Sequence, residues 1–305
     1  MRGARIRARI RGRFRGGHGP TWLVAVGVYG GWLALTLGHA ALPLPVLAAL
    51  GGLVIAWHGS LQHETIHGHP AGPRVLGYLL GAPPLSLWLP YEVYRATHRA
   101  HHATLRLTDP DADPESQLWT REARLRAGPV MRAVRTLHLT AAGRLTLGPL
   151  IVIASFVRGE ARALLRGEPG RRRAWALHVV HVAVALLFVT RVAGMPLATY
   201  LACFVYPGAS LTLLRSLAEH RADVDPERRT AVVEAGALMS LLFLHNNLHV
   251  MHHRAPHVPW FALPARWRRA RAGTLAAGRI MVHRDGYAGL VRRHALRAVG
   301  GEAAP

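Results

Sequence analysis

The chain has 305 residues, half of them hydrophobic, and its mean hydropathy of +0.15 is unusually high for a soluble domain. Its 38 basic residues are all arginine and outnumber 16 acidic residues, which gives a formal net charge of +22. A chain this basic could bind nucleic acid, but no nucleic-acid-binding module is visible and the arginines cluster outside the apolar runs. We therefore predict no nucleic acid partner and attribute the charge to segments that flank membrane helices on the cytoplasmic side.

The N-terminal residues 1–20 form an arginine-rich arm with seven arginines and no acidic residue. The arm is similar in composition to a transit peptide or to the start of a signal sequence. The apolar run that follows is too long for a signal sequence and lacks a convincing cleavage site. We interpret the arm as a cytoplasmic segment that binds anionic lipid. Each basic residue near the membrane surface stabilises such binding by about 1 kcal/mol.

Four apolar runs are long enough, alone or with a few flanking residues, to cross a hydrocarbon core of about 30 Å. They form two pairs, each joined by a short turn, and with the arm inside, both hairpins begin and end in the cytoplasm. We predict an all-α integral membrane protein in which four transmembrane helices carry a cytoplasmic helical cap. The predicted spans are residues 21–42, 43–60, 174–192 and 196–214.

The spans belong to a predicted membrane domain, residues 21–265, which is followed by a basic cytoplasmic tail, residues 266–305. Three shorter apolar runs are too short to cross a membrane. We expect residues 75–90 to be interfacial or buried, residues 145–157 to be interfacial, and residues 231–244 to form a buried cytoplasmic helix.

The single cysteine, Cys203, lies within an apolar run. One cysteine excludes an intrachain disulfide and a cysteine-ligated iron–sulfur cluster. If the protein carries out redox chemistry, its electrons must come from another protein. The acid-rich residues 109–115 alternate like a calcium loop but lack its glycine and its final glutamate, so we predict a surface turn there.

Three histidine motifs lie outside the spans, all predicted on the cytoplasmic side. His63 and His67 form an HExxH motif with Glu64, and two HxxHH motifs begin at His98 and His249. Positions i, i+3 and i+4 of a helix share a face, so each HxxHH motif can direct three imidazoles at one point. Imidazole suits Fe, Zn, Cu and Ni. We therefore predict that the fold brings the three motifs to one metal centre.

Two other classes of protein carry such residues. An HExxH motif on a helix can hold zinc in a protease, with the glutamate as general base, but a protease would leave both HxxHH motifs without a role. In a metal transporter, ionisable residues within the spans would line a path. His178 and His181 have helical spacing in the third span, and we expect an interhelical hydrogen bond there instead.

The histidine motifs, in this order and between these apolar runs, resemble the integral-membrane fatty acid desaturase superfamily. The resemblance covers roughly residues 50–265; residues 215–221 (RSLAEHR) are similar to the element that supplies a further histidine, and residues 256–264 are similar to bacterial members. It implies a di-iron centre, O₂ as oxidant, an external electron donor, and four spanning helices under a cytoplasmic cap. The implied iron ligands are His63, His67, His98, His101, His102, His220, His249, His252 and His253.

Polar residues beside the implied ligands are expected to accept hydrogen bonds from the ligand rings or to bridge to the metal through water. They are Glu64, Glu219, Asn246 and Asn247, with Asp113 and Glu115 as further candidates. In some family members an asparagine stands one helical turn before the histidine of the RSLAEHR element. That place is Ser216 in this chain.

The resemblance implies O₂-dependent desaturation of a fatty acyl chain in the cytoplasmic membrane of a bacterium. An unactivated methylene has no acidic proton, so a metal–oxygen oxidant suits this chemistry. The basic cytoplasmic face would attract an acidic electron donor such as a ferredoxin. Hydroxylation or ketolation of a carotenoid or an alkane uses the same scaffold and stays open, as do the double-bond position, chain length and acyl carrier.

Overall fold

The computed structural model of the protein describes residues 17–278 and 280–299. Residues 1–16 of the predicted arginine-rich arm lie outside the described residues, as do residues 300–305 of the predicted tail. The described part is mostly helical with two short strands, which confirms the predicted all-α class.

The helices α1 to α15 are, in chain order, Gly19–Leu37, Leu44–Ile66, Arg74–Gly81, Tyr91–Ala103, Arg121–Arg126, Pro129–His138, Ala141–Leu145, Gly148–Leu165, Arg171–Leu187, Leu197–Tyr200, Tyr206–Glu219, Ala237–Leu242, His249–Arg254, Leu263–Ala276 and Gly286–His294. Two π-helical turns, Phe188–Val192 and Leu201–Val205, extend α9 and join α10 to α11. Short 3₁₀ turns are His39–Ala41, Pro226–Arg228, Asn246–Leu248 and Trp260–Ala262. The strands are β1 (Ala231–Val233) and β2 (Met281–His283).

Four helical segments are long and apolar enough to cross a membrane, which confirms the prediction of four spans in a multi-pass membrane protein. Spans 1 to 4 are Gly19–Leu37, Leu44–Ile66, Arg171–Val192 and Leu197–Glu219. Spans 2 and 4 end later than the predicted residues 60 and 214. As a result, His63 lies within the last turn of span 2 and not beyond it.

Spans 2 and 4 pack closely because small residues lie where they meet. A Cβ atom on Gly51 would lie 2.5 Å from the carbonyl oxygen of Cys203, and one on Gly208 would lie 2.5 Å from the Cβ atom of Ile55. Small residues at such places let helix backbones approach closely, as is common between membrane helices. This contact aligns the ends of the two spans, where His63 and His220 lie.

The short apolar run at residues 75–90 packs against the spans. Within it, the backbone carbonyl of Leu85 accepts a 2.6 Å hydrogen bond from the Tyr200 hydroxyl, which itself accepts one of 3.0 Å from Trp32 Nε1. Spans 1 and 4 are thereby tied to this segment, whose buried backbone needs such partners. Neither this run nor residues 145–157 are among the four spans, as predicted.

The prediction of one buried helix over residues 231–244 is wrong, because its first part is a strand and Leu238 and Leu241 of the helix that follows are exposed. Ala231–Val233 form β1, which pairs in parallel with β2 (Met281–His283), and helix begins again at Ala237. Consecutive β-branched valines favour a strand when a partner is available. That partner comes from the segment predicted as a tail, which also packs Leu290 and Tyr287 into the core.

Candidate metal centre

The first of two histidine clusters contains five rings carried by three helices. His63 and His67 come from the end of span 2, one helical turn apart. His98 and His102 come from α4, and His252 comes from α13. One ring nitrogen of each histidine lies within 4.8 Å of the others, a grouping that is compatible with a metal site.

The second cluster contains four rings, His101, His220, His249 and His253, whose nitrogens meet the same distance limit. His220 stands where span 4 ends, at the point where its backbone becomes extended. The two clusters adjoin, since the rings of His102 and His253 stack at 4.3 Å between centroids. The nine histidines that the family resemblance implies therefore all come together, although in two groups.

The expectation that each HxxHH motif directs three rings at one point is wrong. In the motif of α4, His98 and His102 join the first cluster whereas His101 joins the second. In the last motif, His249 and His253 join the second cluster whereas His252 joins the first.

The geometry of the helix explains this division. At 3.6 residues per turn, position i+4 lies about 40° around the axis from position i, and position i+3 lies about 60° away on the opposite side. The i and i+4 rings therefore stay together, and the i+3 ring lies about 100° from the i+4 ring. Each HxxHH helix thus lies between the clusters and contributes to both.

Within each cluster the Nε2 atoms converge. In the first, the distances from His98 Nε2 to the Nε2 atoms of His67 and His102 are 2.9 and 3.1 Å. In the second, His249 Nε2 lies 2.8 Å from His220 Nε2 and 3.0 Å from that of His253. The buried Nε2 atom of His63 has no hydrogen-bond partner in the described part of the chain. Converging, partly unpartnered nitrogens of this kind are what a bound cation requires.

Several of these rings are held from behind through Nδ1. His98 and His101 bond through this atom to the carboxylates of Glu115 (3.0 Å) and Asp113 (2.8 Å). A carboxylate at Nδ1 fixes the proton there and turns the Nε2 lone pair towards the cluster. Both acids lie in the predicted surface turn, where Asp113 is nevertheless buried.

The second cluster is also supported by a polar chain. Asn246 Oδ1 lies 3.1 Å from His249 Nδ1, and its Nδ2 donates to Glu219 Oε1 at 2.6 Å. Glu219 in turn forms a buried ion pair with Arg215 at 3.1 Å. His220 Nδ1 lies 3.1 Å from the backbone carbonyl of Arg229. Asn246 therefore lies directly against a ring of the cluster, whereas Glu219 Oε1 is 3.6 Å from His249 Nδ1 and accepts its hydrogen bond from Asn246.

Two other polar candidates tie segments of the chain together, although Glu64 Oε1 also lies 3.8 Å from His63 Nδ1. Glu64 accepts a 3.1 Å hydrogen bond from the backbone N–H of Trp260, which ties span 2 to the segment after α13. Asn247 donates to the carbonyl of Val233 at 2.8 Å and so anchors β1. Ser216 accepts a 2.9 Å hydrogen bond from Arg144, a residue that the sequence alone did not single out.

Burial holds several of the rings outside the spans neutral, but at His101 it is outweighed by the hydrogen bond to Asp113 and by nearby acids, which raise the pKa. Burial, together with neighbouring imidazoles, lowers the pKa of His102 to about 2, and burial likewise lowers the pKa of His220 to about 3. The pKa values of His249, His252 and His253 lie well below the usual range for the same reasons. Neutral imidazole is the form that binds metals, so the clusters are prepared as nitrogen ligands.

The carboxylates behind the rings are ionised. Burial alone would raise the pKa of Glu115, but the charge of His98 and its hydrogen bond lower it to about 2. For Asp113, burial is likewise outweighed by the hydrogen bond and charge of His101, so that its pKa is lowered. Each acid is therefore available as an acceptor at neutral pH.

A cavity of about 640 Å³ reaches the clusters from the side of α8. At one end it is lined by rings of both clusters, among them His98 and His220. Its wall includes the apolar side chains of Trp88, Val152 and Phe156. The volume falls within the range of ligand pockets in proteins, and the lining suits an apolar chain.

The two competing classes of function fit this geometry less well. The Glu64 carboxylate is buried and hydrogen-bonded to Trp260, and His63 and His67 are joined by three further rings, whereas a catalytic zinc keeps an open position beside three ligands. His178 bonds to the carbonyl of Leu87 at 2.8 Å, and His181 belongs to neither cluster. The surroundings of Glu64 therefore do not support a protease, and those of His178 and His181 do not support a transport path.

Comparison with protein families identifies a family that matches most of the chain. The family described as fatty acid desaturase matches residues 39–285, which is most of the chain and includes every histidine of the two clusters. No curated protein matches the chain.

Proposed function

The chain belongs to the fatty acid desaturase family, and on that premise we propose that it desaturates a fatty acyl chain with O₂ at a di-iron centre. The observation that carries the proposal is the pair of adjoining histidine clusters beside a cavity that has an apolar wall. The enzyme is thus an oxidoreductase of a membrane, with desaturase-type, oxygen-dependent chemistry.

The donor set fits two metal ions better than one. Five imidazoles surround the first position and four the second, whereas a structural zinc site is closed by four ligands in all. One ion would be held by His63, His67, His98, His102 and His252. The other would be held by His101, His220, His249 and His253.

When bound, the iron pair supplies, with O₂, the oxidising power that removes hydrogen from an unactivated methylene. The protein's own contribution is positional. Asp113 and Glu115 hold the Nδ1 protons of two ligand rings, and Asn246 orients a third. The cavity holds the acyl chain beside the rings, and its apolar wall excludes water.

Electrons would come from a separate donor, since the single cysteine cannot ligate an iron–sulfur cluster. A chain of net charge +22 attracts an acidic partner such as a ferredoxin, and this attraction weakens as salt rises. The excess of arginine also supports a cytoplasmic position for the histidine clusters in a bacterial inner membrane. Spans 2 and 4 both end at the clusters, which is consistent with two hairpins that return to one side.

A lipid profile tests the proposal. The chain and a His252→Ala control would be expressed in a host with a compatible ferredoxin system, and total lipid would be analysed by gas chromatography–mass spectrometry with double-bond localisation. We expect a new unsaturated acyl chain with the intact protein alone. Hydroxy or keto products would instead assign the chain to the hydroxylase or ketolase chemistry, and one zinc per purified chain in place of iron would overturn the di-iron assignment.

A second variant distinguishes a desaturase from a zinc protease. Glu64→Gln replaces the carboxyl group with an amide but keeps an acceptor for the Trp260 N–H. We expect measurable desaturation to remain, because Glu64 does not act on the substrate. A protease would lose its general base, so a complete loss of activity with iron content unchanged would contradict the proposed role of Glu64.

A further inference from the structure

The cavity that reaches the histidines contains a buried arginine that has no acidic partner among the described residues. Arg144 is 2% exposed and lines the cavity. Its Nε donates to the backbone carbonyl of His138 at 2.9 Å, and Nη1 donates to Ser216 Oγ at 2.9 Å. No carboxylate among the described residues forms an ion pair with it. A buried charge without a counter-charge is strongly unfavourable.

A second arginine lies near it on the cavity wall. The half-buried Arg135 stands over the ring of Trp119, 4.8 Å from the ring centroid, and donates to the carbonyl of Gln117 at 3.3 Å. Burial, and after it the positive charge of Arg135, lowers the pKa of Arg144 to about 10. Arg135 and Arg144 thus place two positive charges side by side on the cavity wall. Arg158 and Arg162 of α8 line the same cavity.

The acidic residues of the same cavity do not offset these charges. Asp113 and Glu115 are bonded to His101 and His98. Glu219 is paired with Arg215. The lining therefore carries an excess of positive charge at the end formed by Arg135 and Arg144, which we call the cationic end.

We propose that the cationic end binds the anionic head group, carboxylate or phosphate, of an acyl substrate. This inference rests on the proposed function and names the part of the substrate that the site recognises. Guanidinium groups pair with carboxylate and phosphate oxygens through two parallel hydrogen bonds. The chain then lies along the apolar wall of Val152 and Phe156 towards the histidines.

The position of the cationic end relative to the metal centre supports this arrangement. Ser216, which accepts from Arg144, precedes His220 by one helical turn, a rise of about 6 Å. A head group at Arg144 therefore places the first part of the acyl chain beside the second histidine cluster. A carotenoid or an alkane has no group to neutralise these arginines, so the site favours an acyl substrate over a neutral hydrocarbon.

Direct binding tests the inference without turnover. The full chain, loaded with iron and purified in a neutral detergent, would be titrated with radiolabelled palmitate and hexadecanol in a scintillation proximity assay. Arg135→Gln would be compared with Arg132→Gln, which removes an exposed arginine of the same helix that does not line the cavity. We expect Arg135→Gln to weaken palmitate binding about tenfold or more, with hexadecanol binding and Arg132→Gln unchanged.

Equal binding of palmitate and hexadecanol by the unaltered protein, or equal effects of the two substitutions, would overturn the inference. Competition against the palmitate label separates the sources of the anion. Stronger displacement by unlabelled palmitate than by lysophosphatidylglycerol or palmitoyl-CoA assigns a carboxylate, the reverse order assigns a phosphate, and displacement by hexadecanol as strong as by any of them overturns the inference. Arg144→Gln provides a second variant, with binding expressed per folded chain because Arg144 also supports His138. The lipid profile tests desaturation separately, so failure of either proposal can be recognised without the other.

Discussion

The two histidine clusters hold their rings in different ways. The first gathers five rings, and among the residues that the structure describes, Glu115 is the one carboxylate within 3.1 Å of a ring Nδ1 there. The second gathers four rings, three of which bond through Nδ1 to Asp113, Asn246 or the Arg229 carbonyl. Positions in the first cluster are set mainly by packed helices. Those in the second depend more on a buried polar network, which is the part that substitutions should disturb selectively.

The largest expected effect comes from removing a ligand in either cluster. His252→Ala deletes a ring of the first cluster and His253→Ala one of the second. We expect both variants to lose desaturation completely while the protein stays in the membrane, since each ion loses a ligand. Product analysis and iron counts on purified protein measure this, and His181→Ala, which alters neither cluster, serves as control. Full activity in either cluster variant would remove that histidine from the ligand set.

The polar network behind the second cluster should carry the next largest effect. Glu219→Gln leaves the buried Arg215 without its counter-charge, which typically costs about 3–5 kcal/mol. We expect a marked fall in melting temperature and loss of iron from the second cluster first. Glu234→Gln breaks an exposed pair with Arg271 and should cost about 1 kcal/mol or less. Equal stability of the two variants would show that the ion pair of Glu219 with Arg215 does not support the second cluster.

A subtler difference concerns the acids of the loop between α4 and α5. Asp113→Asn alters the partner of His101 in the second cluster, and Glu115→Gln that of His98 in the first. Loss of such a partner typically weakens metal binding about 10–100-fold. Iron titration of the metal-free protein measures it, with the exposed Asp111→Asn as control. We expect Asp113→Asn to weaken iron binding more than Glu115→Gln, because the Asp113 side chain is buried whereas that of Glu115 is partly exposed. A larger loss of iron affinity for Glu115→Gln would contradict this order.

The smallest expected effect concerns a buried histidine outside both clusters. Burial, reinforced by Arg144 and Arg135, lowers the pKa of His138 to about 3. Below pH 6.5 the unfolded chain gains this proton and the folded chain does not, so stability is lost as the pH falls. Between pH 7 and 5.5 the loss is about 1 kcal/mol.

Melting temperatures at the two pH values should therefore differ less for His138→Gln than for the unaltered protein. Comparing the two differences removes any general effect of the substitution on stability. An identical pH dependence in both proteins would show that His138 is not held neutral in the folded state.

The sequence was a good guide wherever a local pattern is enough. The four spans follow from runs of apolar residues, and the nine histidines were recognised from their spacing and from the family resemblance. It was a poor guide where a distant segment supplies the partner. The pairing of β1 with β2 turns part of a predicted helix into a strand. The consecutive valines there are compatible with a strand, but no local pattern indicates that a distant partner is available.

By itself, the sequence determined which residues could bind metal and which segments could cross a membrane, because both depend on residue type and on spacing along the chain. Tertiary structure alone decided that each HxxHH motif contributes to two clusters. The i+3 and i+4 rings point in different directions, and they join separate clusters only because rings of other helices lie on both sides of the motif. It also placed Asp113 behind His101 and left Arg144 buried beside the cavity. The physical reason is that hydrogen bonds and burial depend on separations in space, which packing sets between residues far apart in the chain.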